Sequence, residues 1–434
     1  MRKFLRFIIA LTALSLVSGT PVMAESLYNR GSGSLGLDTV IDYERTPQTS
    51  HIIIDKEGYL PSAKKVFYIY GSNLGQNYQI VNMKSKEVVA DSNMTMLETK
   101  DKDFNIYIGD FSTLADEGVY RIYQDDVGYS DEFAVDSDVY IDMSDRVQKS
   151  ISDYNFKNKE DMMFSIANIM LTKEIYPTSK TDDKFVRECV DSLLEKKDEY
   201  FVGDNAVSPE FASMMAGTLA QYYYVYKDED LLYYNSVMAL ANSAYIYADM
   251  QKDAIPADVR YYAAANLYRI TGYAKYLTAI AEYDDLSTSS KKLSNYNMTL
   301  LADMAYLKTD YRTDYARCEG IFTSYVDKAS DISIKTDKAH FYVQPDIESL
   351  DDNAILDNMM ILGICSYVLS SHEYASIQGN YMHYLFGLNK DKVNHLNEVK
   401  AAEAGTVSED VTQLSKLIFV LGSNRTSENT ITKE

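Results

Sequence analysis

Two different patterns of hydrophobic and polar positions divide the chain. From about residue 51 to 135, short runs of β-branched and aromatic residues alternate with turn residues, and no helical period lies between them. Spacing of this kind is typical of an immunoglobulin-like β-sandwich, which we therefore expect over residues 49–137. The runs are residues 52–54, 66–70, 78–81, 105–108, 119–123 and 132–135.

After Tyr140 the hydrophobic period changes to that of amphipathic helices. Ser208 and Pro209 predict the N-cap and first residue of one of them. No repeat of fixed length is visible, which argues against a helical solenoid and favours a closed α/α toroid of helical hairpins over residues 138–425. The predicted segments lie near 142–155, 160–174, 181–199, 209–225, 231–248, 257–270, 274–283, 291–307, 312–327, 353–369, 374–387 and 408–422.

The two ends of the chain differ from the folded part. A basic start, an apolar run over residues 7–17 and the small residue Ala24 predict a secretory signal peptide over residues 1–24, cleaved near Ala24, and hence a secreted protein. Residues 25–48 are rich in glycine and polar residues and predict a flexible leader, and residues 426–434 a disordered tail. No other stretch has the roughly 20 apolar residues that a membrane-spanning helix needs.

Composition limits the classes of partner. A formal charge of -22 disfavours nucleic acid and anionic lipid and is compatible with a neutral polysaccharide. The chain has 38 tyrosines and no tryptophan, so tyrosine would have to supply any platform on which sugars stack. Its three cysteines stand singly in helical patterns without metal-ligand spacing, and we expect them to be buried apolar residues. We predict neither a cofactor nor a metal, and the oligomeric state stays open.

Several motifs resemble family 9 glycoside hydrolases, which are enzymes of the cellulase type. The sequences IDKEGYLP at 54–61, GDFSTL at 109–114, GVY at 118–120 and SDEF at 130–133 are similar to successive strands of the N-terminal immunoglobulin-like domain found in many members. YYAAANLYRITG at 261–272 and YMHYLFGLN at 381–389 resemble helix-and-turn segments of the family's (α/α)6 barrel, although Lys390 stands where the family has proline. The resemblance implies a sandwich followed by this six-hairpin barrel.

The same resemblance indicates which residues to examine for catalysis. Family members invert the anomeric centre with a carboxylate base and a carboxylic acid about 6.5–9.5 Å apart. Glu409, at the start of the last predicted helix, corresponds to the acid, although a glutamate in a first turn equally suits the helix dipole. The family's Asp-Ala-Gly-Asp motif for the base is replaced by residues 156–163, where Asp161 or Glu160 could substitute, although a carboxylate there also suits the helix dipole.

Three further residues are candidates for binding substrate on the strength of the resemblance: Asn389, His395 and Tyr262. The paired His and Arg expected after Asn389 are missing, and residues 349–353 stand where the family carries a Trp-Gly-Ser-Asn stretch. His395 could equally be a surface residue, and Tyr262 a core residue.

Two functions therefore remain open from the sequence. In the first, the protein hydrolyses β-1,4-glucan or a related polysaccharide by an inverting mechanism. In the second, it keeps the fold without the reaction and serves as a glycan-binding or protein-binding module at the cell surface. No alternative catalytic motif, such as a nucleophile elbow, a zincin helix or a P-loop, is present in the sequence.

Overall fold

The computed structural model describes most of the chain after residue 50. The described residues are 51–97, 105–203, 206–226, 230–285, 292–336, 343, 345–396 and 409–431, with side chains except at 284, 285, 409 and 425–431. The predicted signal peptide and leader lie outside them.

The first part of the chain folds into two antiparallel sheets. One sheet has the order β1-β2-β6-β5, and the other has the order β4-β3-β7-β8, with β9 also paired to β7. Apolar side chains of both sheets, including Phe67, Tyr78 and Tyr120, form a shared buried core. The strands are β1 Ile52–Ile53, β2 Val66–Gly71, β3 Asn77–Asn82, β4 Val88–Asn93, β5 Thr95–Leu97, β6 Asn105–Asp110, β7 Gly118–Gln124, β8 Gly128–Tyr129 and β9 Phe133–Val135.

The predicted sandwich is confirmed, and three strands that sequence patterns did not indicate complete it. β4 is the end strand of its sheet and is largely exposed, and it carries the polar sequence VVADSN. β5 and β8 are only three and two residues long. Edge strands with few apolar side chains lack the alternation on which a prediction depends.

Twelve α-helices follow in the described part of the chain, as the predicted six-hairpin toroid requires. We number them α1 Val139–Ser152, α2 Lys159–Ile175, α3 Asp183–Glu195, α4 Pro209–Tyr226, α5 Leu231–Asp249, α6 Ala257–Thr271, α7 Ala274–Asp285, α8 Thr299–Leu307, α9 Tyr315–Thr336, α10 Asp352–Leu369, α11 His372–Leu385 and α12 Glu409–Ile431. The last helix extends into the segment 426–434 that the sequence assigns to a tail.

The even-numbered helices form an inner ring. α2 packs against α4 and α12, α4 against α6, α6 against α8, and α10 against α12. The odd-numbered helices lie outside: α1 packs on α12, α3 on α2, α5 on α4, α7 on α6, and α11 on α10. Because consecutive helices run antiparallel, the inner helices all begin at one rim of the barrel.

Local capping explains where the inner helices begin. Ser208 Oγ accepts a hydrogen bond from the backbone N–H of Phe211, and this confirms the predicted start of α4. α8 begins later than predicted because Asp258 accepts hydrogen bonds from the N–H groups of Ser294 and Met298. These bonds hold the preceding residues as a loop, which competes with helix formation.

The sandwich is joined to the barrel by buried polar contacts. Asp55 Oδ2 lies 2.6 Å from Nδ1 of His383 on α11, and the N–H of Lys56 donates to the carbonyl of Phe386. At the edge of this contact, Arg146 of α1 forms an ion pair with Glu57.

Two expectations from composition concern the helical part. The three cysteines are buried and unbridged, as predicted, and burial raises the pKa of the Cys189 and Cys365 thiols to about 12. None of the helices in the described part is both long and apolar enough for a membrane crossing.

Candidate functional site

A cavity of about 430 Å³ opens at the rim where the inner helices begin. Helices α2, α10 and α12 and the loop before α8 supply its walls, so four segments distant in sequence meet there. We call it the rim cavity; it is lined by Phe164, Asn295, Tyr296, Asn297, Asp351, Asn353, Asp357, Thr412 and Lys416.

Most groups in the rim cavity are polar, and two of them are charged partners. Lys416 Nζ lies 2.7 Å from Asp357 Oδ1 and 5.7 Å from the centre of the Phe164 ring. Asp351 caps α10 by accepting a hydrogen bond from the N–H of Ala354. Asparagine amides, a hydroxyl and aromatic faces together are the groups that proteins use to hold sugar hydroxyls and rings.

Asp161 lies directly behind this cavity, in the first turn of α2. Its side chain is 1% exposed, and the hydroxyl of Tyr296 donates to its Oδ1 at 2.8 Å. The same hydroxyl accepts a hydrogen bond from Asn158, the N-cap of α2, and the Tyr296 ring packs on Phe164. Tyr296 therefore stands between the Asp161 carboxylate and the space in front of it.

A second cavity of about 460 Å³ lies next to Asp161 on the same rim and is lined by Glu160 together with residues 157–159, 207, 208 and 211. Burial raises the pKa of Glu160, and the charge of Asp161 raises it further. Burial also raises the pKa of Glu210, with Glu160 as the next cause. Three carboxyl groups thus lie close together in this part of the rim, and the repulsion between their charges favours protonation of some of them.

The bounds of α12 place Glu409 at the same rim, since it is the first residue of that helix. Its side chain lies outside the described part of the structure. α12 packs directly on α2, so the first turns that carry Glu409 and Asp161 belong to neighbouring inner helices.

The three predicted binding residues occupy different places. Asn389 is buried and closes the turn after α11, with its amide donating to the carbonyls of Tyr384 and Val393. Tyr262 is fully buried between α4 and α6, and its hydroxyl donates to Gln221 Oε1 at 2.6 Å. Neither side chain lines the rim cavity.

His395 lies beside the rim cavity. Its Nδ1 is 2.9 Å from Oδ1 of Asp352, which is the first residue of α10 and follows the cap residue Asp351. This hydrogen bond raises the pKa of His395 above its usual value, against the opposing effect of partial burial. A partly exposed, protonatable donor is thereby positioned next to the polar wall of the cavity.

An Asp352→Asn substitution should lower the pKa of His395 in an NMR titration. The raised pKa means that the pair stabilises the fold fully below about pH 6.5, and that this contribution is lost as pH rises through the folded-state pKa. Asp346→Asn, at a carboxylate that contacts Lys335 instead, is the matched control and should leave the His395 midpoint in place. An unchanged midpoint in Asp352→Asn would contradict the assigned cause.

Sequence reasoning missed Tyr296 and the Asp357–Lys416 pair. Both lie in segments that look ordinary in sequence: Tyr296 in a short polar loop and Lys416 in an apolar helix. The one available signal was that Lys416 occupies a position in the apolar pattern of its helix. A buried charge requires a partner, so this lysine indicated a nearby carboxylate. Within the described residues, no cluster of three or more potential metal ligands accompanies them.

Comparison with known proteins identifies the family. The cellulase N-terminal Ig-like domain matches residues 47–129, and glycosyl hydrolase family 9 matches residues 149–402, which is more than half of the chain. The protein therefore belongs to glycosyl hydrolase family 9. No curated protein matches the chain at the level of sequence.

Solved structures show the same fold at low sequence identity. A Bacteroides ovatus GH9 protein is 13% identical with a TM-score of 0.67, and the alignment covers 87% of this chain and 99% of that one. A metagenome-derived glycoside hydrolase family 9 endoglucanase is 14% identical with a TM-score of 0.69, covering 86% and 98%. A single mutant of a thermostable endoglucanase from Alicyclobacillus acidocaldarius is 13% identical with a TM-score of 0.65, covering 87% and 100%.

Proposed function

We propose that this protein hydrolyses β-1,4-glucan or a related neutral polysaccharide at the rim cavity, with inversion of the anomeric centre. Glu409 acts as the general acid, and Asp161 acts as the base that activates water. The protein is exported after cleavage of its signal peptide near Ala24. Membership of family 9 supports the reaction class, and the solved relatives named as endoglucanases support the substrate class.

One observation carries this proposal: the rim cavity lies between the first two turns of α2, α10 and α12, with Asp161 directly behind it. Inversion needs an acid and a base on opposite faces of the sugar, with space for one water between them. The positions of Asp161 and Glu409 in the first turns of adjacent inner helices support such an arrangement.

The side chain of Tyr296 would have to move away from Asp161 during the reaction. Its hydroxyl occupies one oxygen of Asp161, and its ring fills the approach from the cavity. A sugar entering the cavity can stack on this ring and displace the hydroxyl, which exposes Asp161 to water. His395 and the Asp357–Lys416 pair would then bind hydroxyl groups of the sugar.

The direct test is product release from soluble glucans. The mature protein is incubated with carboxymethylcellulose, xylan and mixed-linkage β-glucan, and reducing ends are counted while proton NMR follows the anomers. We expect new reducing ends with the α-anomer appearing first, as inversion of a β-linkage requires. A first-formed β-anomer would contradict the inverting mechanism.

The second candidate function, glycan binding without cleavage, is favoured by the near-complete burial of Asp161. A carboxylate that never leaves Tyr296 could not activate water. In that case, the protein would be retained on insoluble glucan while releasing no reducing ends from any of the three substrates.

Tyr296→Phe provides a sharper test of the role of Asp161. A hydrogen bond donated to a carboxylate favours the ionised form, so its loss should move the acid limb of the pH–rate profile upward by about 0.5–1 unit. Tyr262→Phe removes a buried hydroxyl away from the rim and should leave the profile in place. Equal profiles for Tyr296→Phe and the native protein would show that Asp161 is not the base.

A further inference from the structure

A cavity of about 390 Å³ lies on the outer side of the barrel, where the sandwich meets it. The loop between β1 and β2 forms one wall, and helices α1, α11 and α12 form the others. We call it the interdomain cavity; it shares no residue with the rim cavity and is lined by Leu60, Ser62, Ala63, Lys64, Tyr140, His372, Ala375, Ser376, Gly379, Asn380, His383 and Asn424.

One face of α11 forms the floor of this cavity. Its lining residues recur at intervals of three and four between His372 and His383, which is the spacing of one helix face. With a rise of about 1.5 Å per residue, these eleven steps make a slot roughly 16 Å long. The middle of the slot is open because the side chains of Ala375, Ser376 and Gly379 are small. A Cβ added at Gly379 would meet no atom within 4 Å.

His383 closes the slot near the sandwich and is held rigidly. Its side chain is 3% exposed, and its Nδ1 contacts the fully buried carboxylate of Asp55 at 2.6 Å. The other oxygen of Asp55 accepts hydrogen bonds from the N–H groups of Glu57 and Gly58. Tyr59 packs against the imidazole with ring centres 4.8 Å apart.

This arrangement leaves one polar atom without a partner. Asp55 engages Nδ1, and within the described residues no hydrogen bond reaches Nε2 of His383. His383 lines the interdomain cavity, and because Asp55 holds Nδ1, Nε2 is the ring nitrogen that remains for a ligand there. A buried imidazole with one nitrogen held by a carboxyl group presents the other nitrogen in a single orientation.

We propose that the interdomain cavity binds a small aromatic hydroxy compound, whose hydroxyl group shares its proton with His383 Nε2. Apolar walls at Leu60, Ala63 and Ala375 suit a flat ring, and the slot has the volume of sites that hold one or two rings. A phenolic hydroxyl fits either state of the imidazole, since it donates to the neutral ring and accepts from the protonated one. This binding site is independent of glucan cleavage.

A matched pair of probes tests the hydrogen bond. 4-Methylphenol and 1,4-dimethylbenzene have nearly the same shape, but only the first carries a hydroxyl group. We expect calorimetric titration of the full-length mature protein to show 4-methylphenol binding at least fivefold more tightly, and the ¹⁵N resonance of His383 Nε2 to shift only with the phenol. Equal affinities, no binding of either probe, or an unmoved Nε2 resonance would overturn the proposal.

Matched glycine variants test the location. Gly379→Leu should fill the slot and weaken 4-methylphenol binding at least tenfold, whereas Gly320→Leu should leave it unchanged. Gly320 is also an open helical glycine, on the exposed side of α9 and outside the cavity. His383→Gln should abolish the preference for the phenol, but it also disturbs buried Asp55, so the glycine pair is the decisive comparison. Undiminished binding by Gly379→Leu would overturn the assignment of this cavity.

Discussion

Glu409→Gln and Asp161→Asn should each lower the rate of glucan cleavage by about 10²–10⁴-fold while leaving substrate retention nearly intact. Each substitution removes a proton donor or acceptor that the transition state requires, and general acid–base groups typically contribute this much. Initial rates of reducing-end release, measured at saturating mixed-linkage β-glucan for the native protein and both variants, provide the comparison.

Two further substitutions show whether such losses are specific. Glu319→Gln changes an exposed carboxylate of α9 and should retain the native rate. Glu160→Gln addresses the alternative base, because Glu160 is adjacent to Asp161 in the chain and lines the neighbouring cavity of about 460 Å³. If Glu160→Gln abolishes cleavage and Asp161→Asn does not, the assignment of the base to Asp161 is wrong.

Glu174→Ala should cost about 3–5 kcal/mol of unfolding free energy, the largest stability effect that we expect for a single substitution here. Glu174, near the end of α2, accepts two hydrogen bonds of 3.0 Å from Nη1 of Arg269, whose side chain is 1% exposed. Lys308 contacts the same carboxylate at 3.4 Å. Without it, the buried guanidinium would lose its ion pair and, among the described residues, retain the contact with the Tyr224 ring, 4.0 Å away.

Urea denaturation at 25 °C measures this effect. Glu188→Ala is the control, since Glu188 pairs with Lys184 one turn away on an exposed face of α3 and should change stability by less than about 0.5 kcal/mol. Within the described residues, Nε and Nη2 of Arg269 have no hydrogen-bond partner even in the native protein. A loss below 1 kcal/mol for Glu174→Ala would therefore mean that water solvates this guanidinium when the carboxylate is removed.

The sequence was most informative where burial is periodic. The alternation in β7 and the 3.6-residue period of outer helices such as α1 and α3 reflect faces that must be covered, so both halves of the fold could be predicted. Prediction failed where hydrogen bonds to a side chain hold a segment as a loop although its hydrophobic pattern is helical. Asp258 holds the residues before α8 by accepting hydrogen bonds from the N–H groups of Ser294 and Met298. No local sequence pattern indicates a partner some 40 positions away.

The candidate site was less predictable than the fold, because its members come from separate helices. Asp161 could be proposed from its place before an apolar run, but its contact with Tyr296 spans 135 positions. Tyr262 illustrates the reverse problem. It stands in a motif that resembles the family, yet its hydroxyl is paired with Gln221 inside the barrel, and a single sequence cannot show which way a helical tyrosine points.

The order of the helices has a consequence during translation. α12 is synthesised after the other eleven described helices of the barrel, and it packs between α2 and α10, with Asn168 donating to Ser415 across 247 positions. Until it emerges, the nascent barrel is an open arc whose two terminal helices present uncovered apolar faces. Such an intermediate is prone to association with other chains, so the yield of folded protein should depend on how quickly the final helix arrives.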